Sequence, residues 1–105
     1  INNIMKLTIE FKPIRDWAKE KGIIDHGDCK TQFLKLIEEA GELSKAILKD
    51  NEEEFIDAIG DCVVVLTNLA AIRGYDIEDC INSAYNVISK RTGKMENGTF
   101  VKNNS

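Results

Sequence analysis

Along most of this chain apolar residues recur at intervals of three and four, the spacing of amphipathic helices. The pattern predicts a first helix over residues 9–21, with Pro13 in its opening turn and Ile14, Trp17 and Ala18 on one face. Gly22 stops it, and residues 23–28 read as a loop holding the lone histidine, His26. A second helix starts near Asp28 or Thr31 and runs to about Lys49. Asn51, with Glu54 three residues on, marks a capping-box start for a third helix that runs to Arg73, with Gly74 just beyond. Asp76 caps a fourth helix ending near Arg91, again followed by a glycine, Gly93. The tail around Asn97 and Gly98 reads as a small hairpin, too short to stand alone, so Met95, Phe100 or Val101 is expected to pack on the helices. The fold class is all-α: an antiparallel bundle of about four helices with a short C-terminal β-hairpin, one domain over residues 1–105.

The two central helices differ in how they distribute charge. On the second, a step of about 100° per residue gathers Lys35, Glu38, Glu39, Glu42, Lys45 and Lys49 on one arc and Leu36, Ile37, Ala40, Leu43, Ile47 and Leu48 on the other. Taken alone this is an amphipathic helix with a solvated face; Glu39, between Leu36 and Leu43, is placed to lean toward a neighbour. The third helix is apolar nearly all round, the mark of a central element. Yet Glu54, Asp57 and Asn68 fall within about 40° of Asp61 on one row of it. The expectation is that this row faces other protein rather than water, with Gly60 letting another backbone approach closely.

An unpaired buried carboxylate costs more than a small domain can spare, so such acids are protonated, paired with a cation, or bound to a metal. For Asp61, a loop cap or a buried Lys or Arg partner are the structural alternatives. Glu38, Glu39 and Glu42 facing Asp57 and Asp61 across two antiparallel helices make a cluster of oxygen ligands, suited to Mg²⁺ or Mn²⁺. A di-iron bundle needs Glu-x-x-His pairs, which a single loop histidine does not supply. Zinc fits less well, because Cys29, Cys62 and Cys80 are far apart and no histidine joins them.

Bulk properties narrow the partners. A chain of 105 residues is large enough for one core, and small enough that a partner chain would help. A net charge of −4 argues against duplex nucleic acid and against a membrane surface. No signal peptide or apolar run of membrane-spanning length is read, and the unpaired cysteines fit reduced thiols in a cytoplasmic protein.

The acid pattern resembles the MazG-like all-α nucleoside triphosphate pyrophosphohydrolases, whose signature is Glu-x-x-Glu on one helix and Glu-x-x-Asp on the next. Leu36-Ile37-Glu38-Glu39-Ala40-Gly41-Glu42-Leu43 looks like the first half, with Glu39 and Glu42 as the pair. Ile59-Gly60-Asp61-Cys62-Val63-Val64 resembles the second half around its aspartate. Ala58 departs from the pattern by standing where the second glutamate belongs; Asp57, the adjacent acid, points about 100° away from that slot. The stretch from Ala84 to Met95 is similar to small phage and bacterial members. The resemblance implies Mg²⁺-dependent hydrolysis of a nucleoside triphosphate to the monophosphate and pyrophosphate by a homodimer or homotetramer. It places Glu39, Glu42 and Asp61 on the metal and Glu38 or Glu39 in the chemistry, with Asp57 the one nearby acid available to substitute for the missing fourth ligand. Lys35, Asn86, Lys90, Arg91 and Lys94 are its substrate-binding candidates, with Trp17 stacking on a base. As a core tryptophan and ordinary helix-end cations, these residues have plain structural roles too. The competing function is a non-catalytic helical interaction module that retains the fold, a reading motivated by Ala58.

Overall fold

The computed structural model describes residues 2–103, and the side chains of residues 11–103. Residues 1, 104 and 105 of the domain expected over 1–105 lie outside that range. In chain order the elements are α1 (Asn2–Glu20), α2 (Ile23–His26), α3 (Cys29–Leu48), α4 (Glu52–Ile72), α5 (Ile77–Ile88), β1 (Gly93–Glu96) and β2 (Thr99–Lys102). The all-α class with a terminal hairpin holds, with four long helices and one single-turn helix.

The helix starts follow local chemistry. At α3, the Asp28 carboxylate accepts from the Thr31 N–H at 2.8 Å and from its Oγ1 at 3.0 Å. These bonds hold the Asp28 carboxyl below the usual carboxylate range, the backbone bond from Thr31 contributing most. At α4, Asn51 Oδ1 accepts from the Glu54 N–H at 3.1 Å. The capping box closes in one direction only, because the Asn51 N–H donates to the Ala46 carbonyl at 3.0 Å instead of to Glu54. Gly74, at φ +84°, takes the left-handed conformation that ends α4.

Several boundaries differ from the sequence expectation. Residues 23–26, read as loop, form the helical turn α2, closed by the Gly27 N–H donating to the Ile23 carbonyl at 2.8 Å. Helix α1 begins earlier than residue 9, so Pro13 sits in its interior, where it supplies no N–H to the helix ladder. Helix α5 ends at Ile88 rather than near Arg91: Lys90 and Arg91 donate to the carbonyls of Val87 and Ile88, three residues back, and the chain turns away.

Helix α4 is the centre. It packs against α1, α2, α3 and α5, whereas α3 packs against α4 alone among the described residues. The buried core is made of small side chains, Ala18, Ala46, Ala58 and Val65, with Thr67 and Asn68. Thr67 satisfies its hydroxyl by donating to the Val63 carbonyl at 2.7 Å. Arg15 of α1 is clamped to Glu78 at the start of α5 by a two-pronged ion pair, one prong at 2.9 Å, with Asp76 at 3.5 Å from its Nε.

The C-terminal hairpin forms in the expected place, with Met95 opposite Phe100 and Glu96 opposite Thr99. Asn97 at φ +49° and Gly98 at φ +83° make its two-residue turn. It does not pack on the bundle as expected. Among the described residues β1 and β2 contact only each other, and Met95, Phe100 and Val101 are exposed. The physical reason is the turn after Ile88, which directs the strands away from α4.

Candidate functional site

Helices α3 and α4 bring together most of the acids that the sequence singled out. Glu39 and Glu42 from α3, with Glu54, Asp57 and Asp61 from α4, line one cleft of about 190 Å³ whose floor is the buried methyl of Ala58. The cleft is not the dry seam expected. Glu42, Glu54, Asp57 and Asp61 are exposed and only Glu39 is partly covered, because among the described residues no third helix lies beside α3 to close the groove. Nor does Gly60 admit a close backbone: among the described residues nothing lies within 4 Å of where its Cβ would stand.

Electrostatics single out Glu39. Its carboxyl is pushed above the usual range, first by desolvation, then by the negative charge of Asp61, with a smaller effect from Glu38. Lys35 opposes the shift. Two carboxylates from different helices are thus held against their mutual repulsion. Among the described residues, no three His, Cys, Asp or Glu side chains stand close enough to hold one ion between them.

Asp61 also borders a second cavity of about 400 Å³, lined by Pro13, Ile14, Trp17 and Val64. That cavity is apolar and open, and Trp17 is 46% exposed, so its indole is available to a flat ligand rather than sealed in a core. One aspartate therefore joins an acidic cleft to an aromatic pocket. Farther along the same row of α4, Asn68 is buried, and its Oδ1 has no partner among the described residues.

Other sequence candidates lie elsewhere. Glu38 and Lys35 sit outside the cleft lining, 3.7 Å apart on the exposed side of α3. Glu42 lies 3.6 Å from Lys45. Asn86, Lys90 and Arg91 are exposed near the end of α5, and Lys94 lies 3.8 Å from Glu96 in the hairpin; none of these lines either cavity. They are not brought to the acids because α5 ends early and the hairpin leaves the bundle. Conversely, Glu54 belongs to the cleft although the motif did not mark it. The signal was available, since it shares the row of Asp61, but its position three residues after Asn51 read as a cap.

The MazG nucleotide pyrophosphohydrolase domain family matches residues 28–95, which include α3, α4, α5 and the start of the hairpin. The chain belongs to this family. It is also 39% identical over 60 residues to an uncharacterized 18.2 kDa protein in the rep-hol intergenic region of Haemophilus phage HP1 (strain HP1c1). That alignment covers 57% of the chain and 37% of the phage protein, so the chain spans well under half the length of this relative. No solved structure gives a significant match. Both acid-bearing helices lie inside the MazG match, whereas α1, with Arg15 and Trp17, precedes it. The MazG-like domain thus supplies the cleft, and a helix outside the matched region completes the aromatic pocket.

Proposed function

We propose that the protein is a nucleoside triphosphate pyrophosphohydrolase that requires Mg²⁺, with Mn²⁺ as a substitute, and releases the nucleoside monophosphate and pyrophosphate. The observation that carries this reading is the junction at Asp61, where a carboxylate cleft meets an apolar pocket holding Trp17. A nucleotide has the same polarity: a charged triphosphate at one end and a flat base at the other.

The donor set suits a hard divalent cation. Mg²⁺ commonly keeps several of its waters and takes one or two carboxylates together with substrate phosphates, so the Glu39 and Asp61 pair is a sufficient anchor. Glu42 is the third ligand candidate, and Asp57 and Glu54 flank the alanine that occupies the fourth position. When bound, the ion supplies charge neutralisation for the triphosphate and a more acidic water. The chain's own carboxylates position that ion, and an acid of the cleft left free of it accepts the proton of the attacking water. Glu38 was expected in that role; beside Lys35 on the exposed face it is replaced by Asp57 as the better placed acceptor. Trp17 orients the base by stacking. Lys35, Asn86, Lys90, Arg91 and Lys94 serve the phosphates only where an assembly of chains brings them to a cleft, and a homodimer or homotetramer is the acting species in this reading.

Incubation of the folded protein with each canonical ribo- and deoxyribonucleoside triphosphate and Mg²⁺, followed by phosphorus NMR, tests the reading. Pyrophosphate and monophosphate are the expected products; orthophosphate, or no turnover of any nucleotide, refutes it. Ala58 favours a second reading, a helical interaction module that keeps the MazG-like fold without catalysis. A melting temperature that does not respond to Mg²⁺ or Mn²⁺ selects that module.

A further inference from the structure

We propose that Asn68 reads the base of the nucleotide by accepting a hydrogen bond from an exocyclic amino group. The pocket holding Trp17 then takes cytosine or adenine in preference to their oxo counterparts, uracil and hypoxanthine. The inference rests on the hydrolase reading for the ligand's being a nucleotide, and concerns the end of the site remote from the acids. Between Cys62 and Ile72, α4 is apolar but for Thr67 and Asn68. This run makes the helix, by length and composition, apolar enough to cross a membrane, contrary to the sequence expectation. Polar side chains in such surroundings need partners. Thr67 has one in the Val63 carbonyl. Asn68, only 4% exposed, has none for its Oδ1 among the described residues.

The place of the amide in the fold identifies the partner it lacks. Asp61, Val64 and Asn68 succeed one another at intervals of three and four on one face of α4. Asp61 and Val64 line the apolar pocket with Pro13, Ile14 and Trp17. Exposure falls along the row, from exposed Asp61 through half-buried Val64 to buried Asn68. Asp61 thus marks the mouth of the pocket beside the acids, and Asn68 its inner end, about 10 Å farther along the helix axis. That separation matches the reach of a nucleotide from its phosphate to the far edge of its base. An amide oxygen accepts and cannot donate. The amino group at C4 of cytosine or C6 of adenine supplies the missing hydrogen. At the same positions uracil and hypoxanthine carry a carbonyl oxygen, which would face Oδ1 with no hydrogen between them. The pocket, about 400 Å³, has room for a pyrimidine or a purine, so discrimination falls on this substituent rather than on ring size.

Binding of nucleoside monophosphates with Mg²⁺ present tests this without turnover, because they are products of the proposed reaction. Isothermal titration calorimetry of the wild-type protein compares dCMP with dUMP and dAMP with dIMP. In at least one pair the amino member should bind at least about 10-fold tighter, since the oxo member leaves a buried acceptor unpaired. Asn68→Leu and Asn68→Ala, each with unchanged helical circular dichroism, should bring the members of that pair within about threefold of one another. The loss should fall on the amino member. Equal affinities within both pairs, preference for the oxo member in either, or no binding of any of the four overturns the proposal, whatever the variants do. So does a folded variant that keeps the wild-type preference. Hydrolysis is scored separately: pyrophosphate release without amino preference leaves the hydrolase standing and removes the role of Asn68, whereas amino preference without turnover does the reverse.

Discussion

Replacing Glu78 with glutamine removes the charge that fastens α1 to the start of α5 while keeping the side chain's shape. Arg15 and Glu78 are 63 residues apart, and their side chains retain only 17% and 13% of their accessible surface. The guanidinium grips the carboxylate with both terminal nitrogens. Hydrogen bonds to charged groups are worth about 1.5–3 kcal/mol, whereas fully exposed ion pairs contribute about 0–1 kcal/mol. This pair lies at the rim of the bundle, and Asp76 remains beside Arg15 in the variant, so the loss for Glu78→Gln is placed near 1.5 kcal/mol. For a domain of this length that lowers Tm by roughly 10 °C. The pH dependence has a definite sign. Arg15, chiefly through its hydrogen bond, holds the Glu78 carboxyl below the usual carboxylate range. The stabilisation is therefore complete above the unfolded value of about 4.3 and fades as pH falls through the lower folded value. Thermal melts of wild type and Glu78→Gln from neutral to acid pH should converge on the acid side. A Tm difference under about 2 °C at neutral pH, or one that persists unchanged in acid, refutes the assignment.

Three further outcomes follow from the cleft and its neighbour. Glu39→Gln combined with Asp61→Asn should raise Tm in ion-free buffer by removing like-charge repulsion, and should abolish the Tm increase that Mg²⁺ gives the wild type. Because the Glu39 carboxyl lies above its ordinary value, its contribution falls as pH rises through that window, so the variant's advantage should vanish in acid. Ala58→Glu puts a carboxylate on the buried floor of the cleft, so Tm should drop by a few degrees without metal and recover with Mg²⁺; a loss that metal leaves unrepaired counts against a cation site. Trp17 is the sole tryptophan, so nucleotide binding should quench the protein's fluorescence, and Trp17→Ala should raise KM more than it lowers kcat.

The helices were legible from periodicity because α3 and α4 carry long, unbroken patterns with side-chain caps at Asp28 and Asn51. Acids at helical spacing on two neighbouring helices made the cleft readable as well, since antiparallel pairing across residues 49–51 leaves them only one way to meet. What failed depended on information that periodicity does not carry. An apolar all-round helix implies neighbours, but not whether they belong to the same chain, and so the exposure of Asp57 and Asp61 was missed. Lys90, Arg91 and Lys94 follow a helix whose end is set by turn geometry, and three residues of difference there redirect the whole hairpin. Glu54 is legible both as a cap partner of Asn51 and as a member of the Asp61 row, and it fills both places: its backbone N–H serves the cap while its carboxylate lines the cleft.

The first turn of α4 carries Glu52, Glu53 and Glu54 directly after the Asn51 cap, at the positive end of the helix dipole. The segment bearing three of the cleft's five acids is therefore favoured as a helix by its own cap and charges, with no cation needed to organise it. Architecture and chemistry are separately encoded in this domain. The alanine at position 58 thus interrupts the row of acids without interrupting the helix that carries it.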